Sequence, residues 1–216
     1  MKLTNRQRRD RGMAYIADES VTNEQYIGLR LSQKYSRLKP YDRKGAERLL
    51  RKLGVTFGEN VYFVPPLTCE YGTHLKIGSN LFANANCTIL DIAQVTIGDN
   101  CMFGPNVTLC TAGHPVHPGS RNTGWEYGKP IVIGSNTWIG TGAIILPGVT
   151  VGNGCVIGGG SVVTRDIPDM TVAVGNPCRV IRRLTDEDRK YLFRDECFDE
   201  AALADILSKC DPDRPL

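Results

Sequence analysis

An aliphatic or aromatic residue returns at every sixth position through most of this chain. Ile97, Phe103 and Leu109 keep the interval, and Ile133, Ile139, Ile145, Val151, Ile157 and Val163 resume it. The units read IGSNTW, IGTGAI, ILPGVT, VGNGCV and IGGGSV, an opener often followed by glycine. Nine openers at this spacing do not suit a β-sandwich, whose strands alternate with period two and turn every ~8–12 residues. Self-similarity at a short fixed period signals a solenoid, and hexapeptide units build a parallel β-helix with three short strands per coil. The opener and the small fifth residue of each unit then face inward. Gly and Asn take the corners, where positive φ is needed. Coils stack only on their neighbours, so both ends need caps.

The repeat is interrupted twice. An earlier set, Ile77, Ala83, Ile89 and Val95, keeps the interval but stands two residues out of phase with Ile97. A short irregularity is therefore expected between Ala93 and Thr96. The second break is larger. No unit is recognisable in TAGHPVHPGSRNTGWEYGKP, residues 111–130. Pro115, Pro118, Gly119, Gly124, Gly128 and Pro130 speak against regular structure there, so an extended loop is expected to leave the prism. A long loop on a rigid scaffold is usually functional.

The rest of the chain supplies the caps. Residues 1–54 read as an N-terminal helical segment. Ile27, Leu31 and Tyr35 recur every four residues, with Leu38 next, and predict one helix face. Thr22 and Gln25 have capping-box spacing ahead of it. Ala46, Leu49, Leu50 and Leu53 form a second face, ended by Gly54. Residues 55–184 are the β-helix, with the extruded loop at 110–130. Residues 185–216 are expected to be a C-terminal helical tail, with Thr185 and Asp188 at its start.

Composition bounds the class. A hydrophobic share of 41% and a charged share of 23% fit a globular protein. No run approaches the ~18 apolar residues of a membrane span. MKLTNRQRRDRG lacks the apolar core of a signal peptide, so a cytoplasmic protein is expected by default. Residues 1–53 hold a net charge of +8. Bases are mixed there with acids, without stacking aromatics, which favours a solvated helical face over a nucleic-acid surface. The eight cysteines contain no CxxC pair. Cys69, Cys87, Cys101 and Cys155 read as fifth-place residues, equivalent to Ala93, Val107, Ala143, Val149 and Ser161. That makes them small core side chains rather than bridges or ligands.

The loop holds two of the three histidines, and His114 is the candidate general base. A neutral imidazole takes up a proton near pH 7, which suits that task. A base needs an orienting partner, and Glu126 is the nearest carboxylate in the same loop. The residues alone leave this open against His114 and His117 as turn histidines bonded to backbone. HPVH also spaces two imidazoles for zinc, but Pro115 prevents a regular helix and no third ligand is near, so no metal is expected.

ANAN (83–86), IGDN (97–100), PNVTL (105–109), GHPVH (113–117), EYGKPIVIG (126–134), WIGTGAIILPGVTVG (138–152), GGGSVVTRDIP (159–168) and GNPCRVIR (175–182) together resemble the maltose and galactoside O-acetyltransferases of the hexapeptide-repeat superfamily. The resemblance runs from about residue 5 to about residue 185 and includes the short N-terminal helical segment. It implies a left-handed parallel β-helix, against the usual right-handed crossover. It implies a homotrimer with active sites between subunits, acetyl-CoA as co-substrate and a sugar hydroxyl as acceptor, with no metal, nucleic acid or membrane. His114 matches the catalytic histidine and Glu126 the loop position beside it. Thr141 matches a position that could stabilise an oxyanion. Trp138, Thr141, Gly159, Gly160, Thr164, Arg165, Arg179 and Arg182 match the acetyl-CoA surface, the arginines suiting nucleotide phosphates.

Asn84, Glu70 and Asp91 match acceptor positions. Phe82 could stack on a sugar ring, and the segment around Asp18 could close over it. Galactoside-type members carry a second acid directly after the Asp91 position. Here it is Ile92, which leans toward glucose- or maltose-type acceptors. The alternatives are a related acyltransferase acting on an antibiotic or amino acid, and a non-catalytic β-helix scaffold. The N-terminal segment argues against the first. The joint presence of His114, Glu126, Trp138 and Arg179 argues against the second.

Overall fold

The computed structural model describes residues 2–209; Met1 and residues 210–216 of the expected tail lie outside the described residues. The hexapeptide units fold as a β-solenoid of three parallel sheets, one per face of a prism. The first face stacks Thr56–Phe57, Leu75–Ile77, Val95–Ile97, Ile131–Ile133 and Thr150–Val151. The second runs from Tyr62–Phe63 through Phe82–Ala83, Met102–Phe103, Trp138–Ile139 and Val156–Ile157 to Thr171–Val174. The third stacks Leu67–Cys69, Cys87–Leu90, Thr108–Cys110, Ile144–Ile145 and Val162–Val163.

The opener residues line up as rungs. Ile77, Ile97, Ile133 and Val151 stack on one face, and Ile89, Leu109, Ile145 and Val163 on another. Each is at most 5% exposed. Burying one such side chain stabilises the fold by about 1.5–3 kcal/mol. Fifth-place residues fill the gaps between rungs: Cys87, Cys101, Val107, Ala143, Cys155 and Ser161 are fully buried.

The corners explain the Asn and Gly content. Asn60, Asn80, Asn100 and Asn136 form one column, all with φ between 55° and 61°. Asn tolerates this left-handed backbone better than other side chains. Each side-chain amide donates to the next Asn carbonyl, at 3.0, 2.9 and 3.2 Å. The next corner runs Asn86, Asn106, Gly142 and Gly160, again at positive φ.

Register locates both interruptions. Ile77 pairs with Ile97, twenty residues on, where an unbroken coil returns after eighteen. Val95 pairs with Leu75 and Ile131, so it is a fifth-place residue and not an opener. The two extra residues therefore lie at the corner after Leu90, and Ala93 is only half-buried there. Cys69 pairs with Ile89 and so occupies an opener place, not the fifth. Ile97 pairs with Ile133, thirty-six residues on. The excursion thus adds the length of one coil, and it leaves at the same corner, between the third and first faces.

Three helices precede the prism: α1 (Asn5–Asp10), α2 (Glu19–Tyr35) and α3 (Arg43–Leu53). Thr4 and Gln7 form the capping box of α1. Helix α2 is capped by Asp18, so Thr22 lies inside the helix and is no capping residue. Its buried face is Val21, Gly28, Ser32 and Tyr35, while Ile27 is 59% exposed. The helix rolls this way because Gly28 passes the chain at Glu70; a Cβ there would stand 2.0 Å from the Glu70 carbonyl oxygen. Its hydroxyls also satisfy the open sheet edge. Ser32 donates to Leu67 O and accepts from Cys69 N, and Ser36 donates to Leu67 O. An edge so covered offers no unpaired groups to another strand. Helix α3 buries Ala46, Leu50 and Leu53 and ends at Gly54, φ 82°.

At the other end, Arg179–Arg183 folds back antiparallel on Thr171–Val174. Thr185 and Asp188 cap a 3-10 turn, Asp186–Lys190, and not a longer helix. A short hairpin, Tyr191–Phe193 with Glu196–Cys197, follows. The tail's last described helix is α5 (Glu200–Lys209), after the one-turn α4 (Pro118–Arg121) in the loop. No helix among the described residues is long and apolar enough to cross a membrane.

Candidate active site

The excursion is not an irregular loop. Ala112–Gly113 and Trp125–Gly128 pair antiparallel, and Tyr15–Ile16 adds to the outer edge of Trp125–Gly128. The prolines that argued against structure fall where they cost nothing. Pro118 opens α4, where its missing N–H has no partner to lose, and Pro130 follows the last strand. Thr111 fixes the start of the excursion. Its hydroxyl donates to Leu90 O and accepts from Ala93 N, which ties the large interruption to the small one beneath it. Gly113 lies against the ring of Tyr127, where a Cβ would come within 2.4 Å.

This hairpin presents His114 and Glu126 to each other. Nε2 of His114 lies 3.8 Å from Oε2 of Glu126, in the same chain. The imidazole is 56% exposed and the carboxylate 16%. That spacing is longer than a hydrogen bond, as catalytic pairs often are before substrate fills the site. His117 does a different job. Its Nδ1 accepts from Gly119 N and caps α4. Arg121, at the end of that turn, donates to Val116 O and Pro115 O, closing the loop tip.

Beneath Glu126 the prism contributes acids and phenols. Glu70, at the corner after Leu67–Cys69, has one oxygen on Gln25 and the other buried without a partner among the described residues. Burial pushes its carboxyl up, the bond from Gln25 opposes this, and the nearby charges of Asp91 and Glu126 add to it. Burial also raises the phenols of Tyr15 and Tyr71, the latter to about 12.

Asp91 is not open to an acceptor. It is fully buried, and its oxygens accept from Tyr71 N at 2.9 Å and Gly72 N at 2.7 Å, so it braces the corner. Ile92 packs beside it with Tyr15, Val21 and Tyr71. Asp18 lies at the start of α2, hydrogen-bonded to Ser20 and Asn5, which hold its carboxyl below the usual range.

The residues expected at the donor surface lie elsewhere on the same chain. Trp138 is 52% exposed on the outside of the second face, between Met102 and Val156, and Phe82 continues that row. Asn84, Thr141, Gly159 and Gly160 lie at the corner between the second and third faces. Thr141 O there accepts from Gly160 N. Thr164 and Arg165 are exposed at the opposite edge of the third face, not beside the glycines. Among the described residues the Arg179 side chain bonds only Cys178 O, whereas the Arg182 fork is taken by Asp188 at 2.7 and 3.0 Å. One chain therefore joins His114 to Glu126 and does not join them to Trp138 or Arg179.

A cavity of about 440 Å³ at the loop base is lined by Arg9, His74, Ile92, Gln94 and Gly128, among others. It touches neither His114 nor Glu126 and is not the candidate site. Tyr15 and Gln25 are the residues that sequence reasoning missed. Tyr15 sits in a two-residue strand, too short to show a period.

Residues 130–165 match the family model described as bacterial transferase hexapeptide (six repeats), and residues 94–116 match that of the hexapeptide repeat of succinyl-transferase. The chain is 45% identical over 177 residues to galactoside O-acetyltransferase of Escherichia coli (strain K12), covering 82% of this chain and 87% of the relative. Among solved structures it is similar to a galactoside acetyltransferase in complex with coenzyme A, with TM-score 0.86, 41% identity, and 92% and 100% of the two chains covered. It is also similar to a maltose O-acetyltransferase from Clostridium difficile 630, with TM-score 0.78, 42% identity, and 85% and 99% covered.

Proposed function

The chain belongs to the galactoside/maltose O-acetyltransferase family of hexapeptide-repeat acyltransferases, and from that membership we propose that it is an acetyl-CoA-dependent sugar O-acetyltransferase with His114 as its general base. The observation that carries this reading is the meeting of His114 and Glu126 on the hairpin of the excursion.

His114 takes the proton of the acceptor hydroxyl, and the freed oxygen attacks the thioester carbonyl of acetyl-CoA. The C–S bond breaks, and His114 returns the proton to the leaving thiolate. Glu126 stabilises the imidazolium between the two transfers. Thr141 is the candidate donor to the oxyanion. No acyl-enzyme is required, and the core thiols are poor nucleophiles; burial pushes Cys87 up to about 12.

The donor site is assigned to Trp138, Thr141, Gly159, Gly160, Thr164, Arg165, Arg179 and Arg182. Trp138 offers an exposed flat face to the pantetheine arm, and the glycine corner lets it approach backbone. Arg179 is the freer phosphate ligand, since Arg182 must first give up Asp188. Because these residues stand on another face from His114, we assign the complete site to two chains of a homotrimer. The exposed apolar row of Phe82, Met102 and Trp138 supports such an assembly.

Glu70, beneath Glu126, and Asn84, from the neighbouring chain that brings the donor corner, are the acceptor contacts, with Asp18 at the rim. The acceptor is of glucose or maltose type. Ile92 supports this, because an apolar side chain 8% exposed offers no group to a sugar hydroxyl where the galactoside pattern has an acid. The test is thiol release from acetyl-CoA over a panel of glucose, maltose, galactosides, amino acids and aminoglycosides. Glucose or maltose should give the highest kcat/KM. Turnover with only the non-sugar acceptors, or with none, would overturn the reading.

A further inference from the structure

We propose that Tyr15 is a positioning residue for the transfer: its hydroxyl donates to the Glu126 carboxylate and holds it against His114. The proposal rests on the reading of His114 as the base. Its origin is the pairing of two distant segments. Tyr15–Ile16 runs antiparallel to Trp125–Gly128, with Tyr15 opposite Glu126. Residues so opposed have Cβ atoms about 4.5–5.5 Å apart and share one side of the sheet. That side is the interior. Tyr15 is 1% exposed and packs with Val21, Tyr71 and Ile92. A buried hydroxyl needs a partner, and the residue opposite Tyr15 across the strands is Glu126, whose charge joins burial in raising the Tyr15 phenol.

Glu126 needs the donor. It is largely buried, and the like charges of Glu70 and Asp91 stand at the corners beneath it. A buried carboxylate left without a donor costs free energy and is free to turn away from His114. Arg9 of α1, stacked on Tyr71, is held by Asp10 and Glu24 through Nε and Nη2, and its Nη1 is buried without a partner among the described residues. The Asp91 oxygens take backbone amides, and Glu70 takes Gln25. His114 is half exposed, 3.8 Å away. The Tyr15 hydroxyl is the neutral donor on the buried side. It also gives the N-terminal segment a part in the chemistry, beyond the backbone pairing of its strand with that of Glu126.

Tyr15→Phe keeps the ring, the packing and the strand, and removes one hydroxyl. It should lower kcat by about tenfold, the lower end for a hydrogen bond to a charged group, with KM for acetyl-CoA unchanged. In a Glu126→Gln background Tyr15→Phe should cost nothing further, because the carboxylate it serves is gone. That background also decides the matter should Tyr15→Phe alone unfold: a loss there that matches the loss in wild type is structural and overturns the proposal. An unchanged kcat would overturn it as well. His114→Ala, measured beside them, separates the two readings. If His114→Ala is crippled and Tyr15→Phe is not, the base stands and the positioning role falls. If His114→Ala turns over normally, both fall.

Discussion

Along the prism each inward residue repeats its neighbour, so that Ile97, Ile133 and Val151 meet nearly the same surroundings three times over. Between Cys110 and Ile131 no residue has such a counterpart. The prism is held by many equivalent contacts. The excursion is held by a few unlike ones: Thr111 on the corner, Gly113 on Tyr127, Arg121 on the loop tip, and the strand of Tyr15. A stack of equivalents gives stiffness but offers no place where one side chain differs from the next. Chemistry needs that difference, and the prism supplies it by letting a coil's length of chain leave one corner.

The sharpest way to break this division is to remove the loop's base. His114→Ala should lower kcat by about 10²–10⁴, the usual worth of a positioned general base. Its Tm should stay that of wild type, because the side chain is more than half exposed. His117→Ala removes a cap and should leave kcat far less affected. A reversal of the two would exchange their roles.

The opposite experiment acts on the prism. Leu109→Ala deletes a fully buried rung one residue before the excursion begins. It should lower unfolding free energy by about 2–5 kcal/mol, read by urea denaturation. The folded fraction should keep its KM for acetyl-CoA. A large KM change without a stability change would show that the rung and the loop are not separate.

This division also marks what could be read from sequence. Openers, fifth-place residues and corners were legible because periodicity reports burial directly. The excursion was legible only as a break. Its hairpin was not, because two- and four-residue strands carry no period, and pairing with Tyr15 is a contact over a hundred residues of chain. The face of α2 was misjudged for a related reason. Ile27 is apolar but exposed, and the buried places go to Gly28 and Ser32, chosen for close approach and hydrogen bonding. His114 and Glu126 were named from residue type and resemblance; spacing alone left His117 equal to His114.

Within the prism the corners should be softer than the rungs. Asn100→Ala puts a Cβ-bearing residue without a polar side chain at φ 55° and cuts the ladder to Asn80 and Asn136. A loss of about 1–2 kcal/mol is expected. Asn100→Gly loses the same bonds but accepts the backbone, and should cost less. Equal losses would assign the column's stability to the ladder rather than to φ.

The smallest effect is expected where prism and excursion meet. Asp91 and Glu70 stand at successive levels of one corner. Asp91 has its oxygens on backbone amides, while Glu70 keeps one oxygen buried without a partner. Burial has raised the Glu70 carboxyl above its unfolded value of about 4.3. Between those two values the folded chain binds more protons than the unfolded one, so stability falls as pH rises through that window and stays reduced above it. Glu70→Gln removes the charge and can keep the bond from Gln25. The variant should therefore be slightly more stable than wild type at pH 8, and the difference should shrink as pH falls toward 4. Denaturation at both pH values measures it; a variant less stable at pH 8 would show that the carboxylate is satisfied. If Glu70→Gln also raises KM for the acceptor, the unpartnered oxygen is kept for a sugar hydroxyl. The prism would then carry, at this one corner, a cost in stability that only the substrate relieves.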